Sequence, residues 1–290
     1  MTQQLADVPE RVRGEGPTAS TESDLVSITP RKPRRSWSPP RAVRRAVGPV
    51  LVVVAWHLFS VTGLLHPDVL AAPLDVLSRG TSLWSDGQLP DAILASAKRV
   101  VVGFVIGGAV ALVLSLLAGL FRLGEDLLDS TLGMIRMVPW VGLIPLFIIW
   151  FGIDETPKIA LVALGVCFPL YFNIYGAIRT VDSQLIEAGE TLGLGRLGLI
   201  RHVILPAALP GALVGLRYAL GTAWLALVFA EQVNASAGIG YLMNTGRDFF
   251  QTDVIVVCLV VYAVLGLISD QVVRLLSKVL LSWQASFDGK

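Results

Sequence analysis

Apolar residues run through this chain in long unbroken stretches, and the polar residues collect between them. The stretches lie at 47–65, 100–120, 127–151, 159–178, 209–233 and 254–275. Each is close to or above the about 20 residues that a helix needs to cross a hydrocarbon core of roughly 30 Å. They are too long and too continuous for barrel strands, which alternate over about ten residues. A helix also satisfies its own backbone in lipid. The pattern therefore predicts an all-α, polytopic transmembrane bundle of about six spans. Between the first two runs, residues 73–84 place Leu74, Leu77 and Trp84 on one side of a short helix, as expected for a helix lying on the outer surface.

The polar interval at 180–207 has an order of its own. Asp182 and Ser183 are N-cap types, placed just before the helical repeat of Leu185, Ala188 and Leu192, and Gly193 stands where that helix should stop. A second amphipathic piece, 196–203, then runs up to Pro206. The spacing predicts a helical hairpin at a membrane face, held between two spans. Within the runs, Gly103 with Gly107, Ser115 with Gly119 and Gly211 with Gly215 are small-xxx-small pairs, which let helices approach closely.

Composition agrees with the pattern: 54% of residues are hydrophobic and 16% charged, far more apolar than a soluble domain. Net charge is +1, so bulk charge points to no nucleic-acid partner. Its distribution is more telling. Arg31, Lys32, Arg34, Arg35, Arg41, Arg44 and Arg45 crowd before the first run, which puts the N-terminus in the cytoplasm. An even number of spans returns the C-terminus to the same side, where Arg274 and Lys278 agree, and makes the 180–207 loop cytoplasmic. Lys98, Arg99, Lys158 and Arg247 fall outside by this count. Residues 1–45 read as a disordered cytoplasmic tail, with no small-residue cleavage site to make it a removable signal. Residues 46–283 form the membrane domain and 284–290 a C-terminal tail.

Several chemistries find no foothold. Cys167 and Cys258 lie inside apolar runs, and His57, His66 and His202 are scattered, so no metal site and no catalytic constellation is expected. Gly193-Leu194-Gly195-Arg196-Leu197-Gly198 spells G-x-G-x-x-G, yet a dinucleotide site needs a strand before it and a βαβ unit around it. No G-x-x-x-x-G-K-[ST] occurs, so any ATP would be hydrolysed on another chain. Asn234-Ala235-Ser236 matches a glycosylation sequon but suits the end of a helix. Polar residues inside spans mark pathways, which makes Arg136, Asn173, Arg217, Gln232 and Asn234 candidates for lining a solute path. Glu231 can instead pair with an arginine and hold a helix.

The hairpin carries a resemblance. Glu187-Ala188-Gly189, then Gly193, then Leu205-Pro206 resembles the coupling loop of the permease subunit of bacterial ATP-binding-cassette importers of type I. That pattern is Glu-Ala-Ala, three residues, Gly, nine residues and Ile-x-Leu-Pro; Gly189 and Val203 depart from it. Pro145 to Ile153, Asn173, Gly215-Leu216-Arg217, Ala230-Glu231 and Gly238-Ile239-Gly240-Tyr241 resemble the nitrate, sulfonate and taurine branch. Gln251-Thr252-Asp253-Val254 is most similar to the aliphatic sulfonate permeases, so the resemblance implies import of a small organic anion, an aliphatic sulfonate first, with taurine, nitrate or a vitamin precursor as the alternatives. The resemblance implies a multi-pass protein of the bacterial inner membrane with a second copy of itself, ATPase subunits, an extracytoplasmic solute-binding protein and lipid as partners. Glu187, Ala188, Gly189, Gly193, Leu205 and Pro206 would carry ATPase coupling, with ATP bound on the partner and no cofactor here. A secondary transporter would instead call for buried acids at mid-membrane and inverted repeats.

Overall fold

The structure, a computed structural model, describes residues 41–66 and 68–283. Met1–Gly48 and Pro49–Lys290 separate as two units, and the account below concerns the second. The expectations for both tails lie outside the described residues. Every regular element among the described residues is helical: α1 Arg41–Val61, α2 Pro73–Ser85, α3 Gln88–Leu120, α4 Arg122–Ile135, α5 Ile144–Phe151, α6 Glu155–Arg179, α7 Ser183–Thr191, α8 Arg196–Leu199, α9 Leu205–Asn234, α10 Ile239–Asp248 and α11 Thr252–Leu280.

By length and composition α3, α6, α11 and the continuous segment Arg196–Val233 are long and apolar enough to cross a membrane. The run at 127–151 is not one straight span. It is broken between α4 and the segment Trp140–Phe151, which meet at 83°. Pro139 and Pro145 withhold backbone donors there, and a one-turn 3₁₀ helix, Trp140–Leu143, fills the gap. α4 carries Arg122, Glu125, Asp126 and Asp129, and it buries no residue. Counting the bent pair makes up to five spans, and the first of the six expected runs forms a shorter apolar helix, Val47–Val61.

The core is built on α6, sandwiched between α3 and α9. Val100, Ala111 and Ala118 of α3 meet Val162, Val166, Leu170, Tyr171 and Ile174 of α6, which meet Ala219, Ala223, Ala226 and Leu227 of α9. The small-residue pairs fall at these two seams. A side chain at Gly107 would strike the Ala163 backbone, and one at Gly211 would strike Ala177. Pro169 does not interrupt α6. It denies the Gly165 carbonyl a helical donor, and the Thr222 hydroxyl of α9 donates to that carbonyl at 2.8 Å. A second cluster joins α2, α10 and α11 through Val76, Leu83, Ile239, Leu242, Val254 and Val257. Leu74, Leu77 and Trp84 stay exposed on the far side of α2, the face expected to meet the interface.

Candidate functional site

The hairpin between α6 and α9 forms as its residue types dictate. The Asp182 carboxylate accepts the Gln184 N–H at 2.9 Å and caps α7. Just past α7 and its C-cap Leu192, Gly193 has a φ of +83°, a left-handed conformation that suits glycine. Leu194 N–H then bonds back to the Gly189 carbonyl at 3.1 Å. Gly189 is buried against Leu199, Leu194 and Val203; an added Cβ would lie 2.7 Å from Leu199 Cδ2. The departure from Glu-Ala-Ala therefore has a local cause, since Leu199 fills the place a methyl would take.

The second piece of the hairpin does not stop at Pro206. α8 passes through a π turn, Ile200–Ile204, directly into α9. Proline at 206 can neither donate to the His202 carbonyl nor tolerate it at α-helical distance, and the wider turn accommodates both constraints. Leu205 N–H reaches back to Ile200. Glu187, Ala188 and Gly193 are exposed, as is Leu205, while Pro206 is half-buried. Around them Leu185, Leu192 and Leu197 lie open, the last two 83% and 79% exposed. Apolar side chains this open beside a carboxylate, on a rigid turn, make a surface suited to another protein.

At the other end of α6 and α9 the chain holds a buried ion cluster. Glu231 of α9 is fully buried and Arg99 of α3 is 5% exposed. Arg99 Nη1 donates to Glu231 Oε1 and, at 2.7 Å, to the Ala237 carbonyl. Its Nε and Nη2 grip the half-exposed Glu155 carboxylate of α6 in bidentate fashion. Glu231 also accepts from the Ser96 hydroxyl at 2.7 Å, the Gly240 N–H at 2.8 Å and the Tyr262 hydroxyl at 3.1 Å. Lys158 Nζ lies 3.2 Å from Glu155. Four elements, α3, α9, α10 and α11, thus meet on one fully hydrogen-bonded carboxylate, and Arg99 ties in α6 through Glu155. A side chain at Gly238, where φ is +112°, would strike Glu231 and Arg99, and one at Gly240 would strike Glu231. Ala230-Glu231 and Gly238-x-Gly240 are one structural unit.

Residues 100–281 match the model of the binding-protein-dependent transport system inner membrane component family. The chain belongs to this family. It is 45% identical over 239 residues to an Escherichia coli K12 protein named an aliphatic sulfonates transport permease, SsuC, covering 82% of this chain and 91% of that one. A Bacillus subtilis 168 protein of the same name is 36% identical over 279 residues, covering 96% and 99%. The taurine transport system permease protein TauC of E. coli K12 is 30% identical over 253 residues, covering 85% and 92%. A solved chain of the MetNI methionine ABC transporter overlays with a TM-score of 0.47 at 22% identity, covering 69% of this chain and 95% of that one. The chain is a multi-pass inner-membrane permease of the nitrate, sulfonate and taurine branch, a transport subunit and not an enzyme.

Within this permease the polar candidates separate. Arg217 pairs with Asp270 of α11 at 2.8 Å, and Asp270 also takes Arg274 at 2.7 Å. Asn173 donates its amide to the Pro169 carbonyl at 2.7 Å. It borders an open groove of about 420 Å³ with Phe172, Gly176, Thr180, Gly211 and Val214. Gln232 is half-buried, and its backbone carbonyl accepts from Asn244 at 2.8 Å. Asn234 ends α9, and its side chain lies outside the described residues. Arg136 follows α4 at the break, its guanidinium carbon 4.5 Å from the centre of the Phe172 ring. Arg99 and Lys158, which the span count puts on the outer side, are both buried in the ion cluster.

Proposed function

We propose that this permease moves a small organic anion, an aliphatic sulfonate, into the cytoplasm as part of an ATP-driven importer. The reading rests on the exposed Leu185, Leu192, Leu197 and Glu187 of the hairpin, taken as the seat of a separate ATPase. Each chain has a single hairpin, so a two-fold assembly supplies one seat per ATPase and the permease works as a homodimer. A soluble solute-binding protein delivers cargo at the opposite face. The names of the sulfonate relatives supply the cargo.

The covalent layout supports alternating access. α6 leads into the hairpin after three residues, and the hairpin continues without a break through the π turn into α9. A push on α7 passes straight to the two helices that pack most closely. Their far ends carry Glu155 and Glu231, which Arg99 joins. The hairpin and the ion cluster are thus the two ends of one stiff lever, and closure of the ATPase pair would tilt it as a rigid body.

Gly193→Asp tests the coupling. Nothing lies within 4 Å of the added Cβ, and aspartate tolerates the left-handed region better than most residues, so the fold should survive with a carboxylate set into the docking face. In a strain deleted for this chain, the variant should reach wild-type levels in the membrane. Its alkanesulfonate uptake should fall about tenfold or more, the effect of losing roughly 1.4 kcal/mol of coupling. Equal uptake at equal membrane level would refute the coupling role. Growth of the deletion strain on alkanesulfonate but not on taurine would contradict the cargo.

A further inference from the structure

The side chains of Arg79, Arg99, Arg179, Arg217, Arg247 and Arg274 all lie against carboxylates. Among the described residues no ion pair forms at Arg122, Arg136, Arg196 or Arg201. Three of these sit at the hairpin end, next to Phe121 or on the segment 196–201. Arg136 does not. It is exposed and stands against Phe172, seven residues before the end of α6, which is about 10 Å along the helix from that end at 1.5 Å per residue. An arginine held there without a carboxylate carries an unspent charge in a costly place.

Its setting is built for a ligand. Arg136 lies at the 83° break between α4 and Trp140–Phe151, and discontinuous helices are where membrane transporters expose groups to solute. The ring of Phe172 holds the guanidinium by its face, which leaves the in-plane N–H fork free. Such a fork matches two of the three oxygens of a sulfonate. Phe172 also borders the groove that runs past Asn173, Gly176, Gly211 and Val214, whose mixed polar and apolar wall suits a small solute with a charged head and a short alkyl chain. The nearest acids on the same face of α4 are Glu125, which Arg179 takes at 2.8 Å, and Asp129, two turns away. That residual negative charge keeps binding weak, as passage requires.

We infer that Arg136, seated on Phe172, is the contact that receives the sulfonate group of the solute inside the membrane domain. The inference rests on the anion-importer reading above. It deepens that reading by naming the residue and the group.

The test measures uptake of a labelled short-chain alkanesulfonate by cells deleted for this chain and complemented with wild type, Arg136→Lys, Arg136→Gln, Arg136→Met or Phe172→Leu. Membrane levels are matched, and each purified chain is melted in detergent. The Gln and Met variants should lose about tenfold or more of the uptake at an unchanged melting temperature, because a charge-assisted pair is removed. Lysine, which keeps the charge without the fork, should retain a measurable part. Wild-type uptake by Arg136→Gln would overturn the assignment. A parallel fall of uptake and melting temperature across all four variants would overturn it as well, in favour of a structural or snorkelling role. If the wild-type chain itself supports no alkanesulfonate uptake, the cargo reading fails first, and that failure is visible before any variant is compared.

Discussion

Glu231 concentrates more of this structure than any other residue. It is a fully buried carboxylate with partners from three other helices, and the arginine that neutralises it is itself almost wholly enclosed. Removing one member of such a pair strands the other, at a cost of about 3–5 kcal/mol. Glu231→Leu should therefore melt far below wild type in detergent and accumulate poorly in the membrane. Glu155→Gln removes a half-exposed partner of the same arginine and should shift stability by about 1 kcal/mol or less. A thermal melt of both variants checks the ranking; equal shifts would show that Glu231 is not the hub. The sequence alone shows Glu231 in an apolar run, ready to pair with an arginine. It does not reveal which one, because Arg99 lies 132 residues away and reads as an outer-face charge when spans are counted. The paired glycines, Gly238 and Gly240, were a usable signal: they mark where backbone crowds a large side chain.

At the scale of elements, the helices α2, α3, α6, α7, α9 and α11 were legible because each has a periodic or continuous apolar pattern, although α3 begins at Gln88, twelve residues before its apolar run. The broken segment at 127–151 was not. Hydropathy registers a continuous apolar run there, while Pro139, Pro145 and the charges of α4 act through geometry that a count of apolar residues ignores. The same limit explains Pro206. It reads as a stop, yet the chain keeps its helix by widening one turn before the proline. That π turn sets the rotation of the hairpin relative to α9. Pro206→Ala restores the missing N–H and lets the turn tighten; closing one residue out of it would rotate α8 by about 100° against α9. The variant should insert and melt like wild type, or slightly above it. If the hairpin is the proposed ATPase seat, its uptake should drop several-fold because Leu197 and Glu187 are turned out of register. Unchanged uptake would mean that the π turn is a local accommodation with no bearing on coupling.

For the whole molecule the decisive question is which way it faces the membrane, since the importer reading fails if the hairpin does not meet the cytoplasm. The basic cluster at 31–45 and an even span count are the grounds for expecting both termini and the hairpin inside, with α2, α10 and the α10–α11 turn outside. The structure provides a reporter for each face. Leu192 at the tip of the hairpin is 83% exposed, and Phe250 in the α10–α11 turn is 90% exposed. Phe250 also has a φ of 56°, a conformation that disfavours the native residue as much as a cysteine, so its replacement adds no strain. On a background in which Cys167 and Cys258 are replaced by alanine, Phe250→Cys should react with a membrane-impermeant maleimide in intact spheroplasts. Leu192→Cys should react only after the membrane is opened. Each variant must still support uptake, so that the labelled chain is the working one. The reverse labelling pattern would put the hairpin outside, out of reach of any ATPase. The ion cluster at Glu231 would then stand at the cytoplasmic end, and the direction of transport inferred from the hairpin would have to be abandoned.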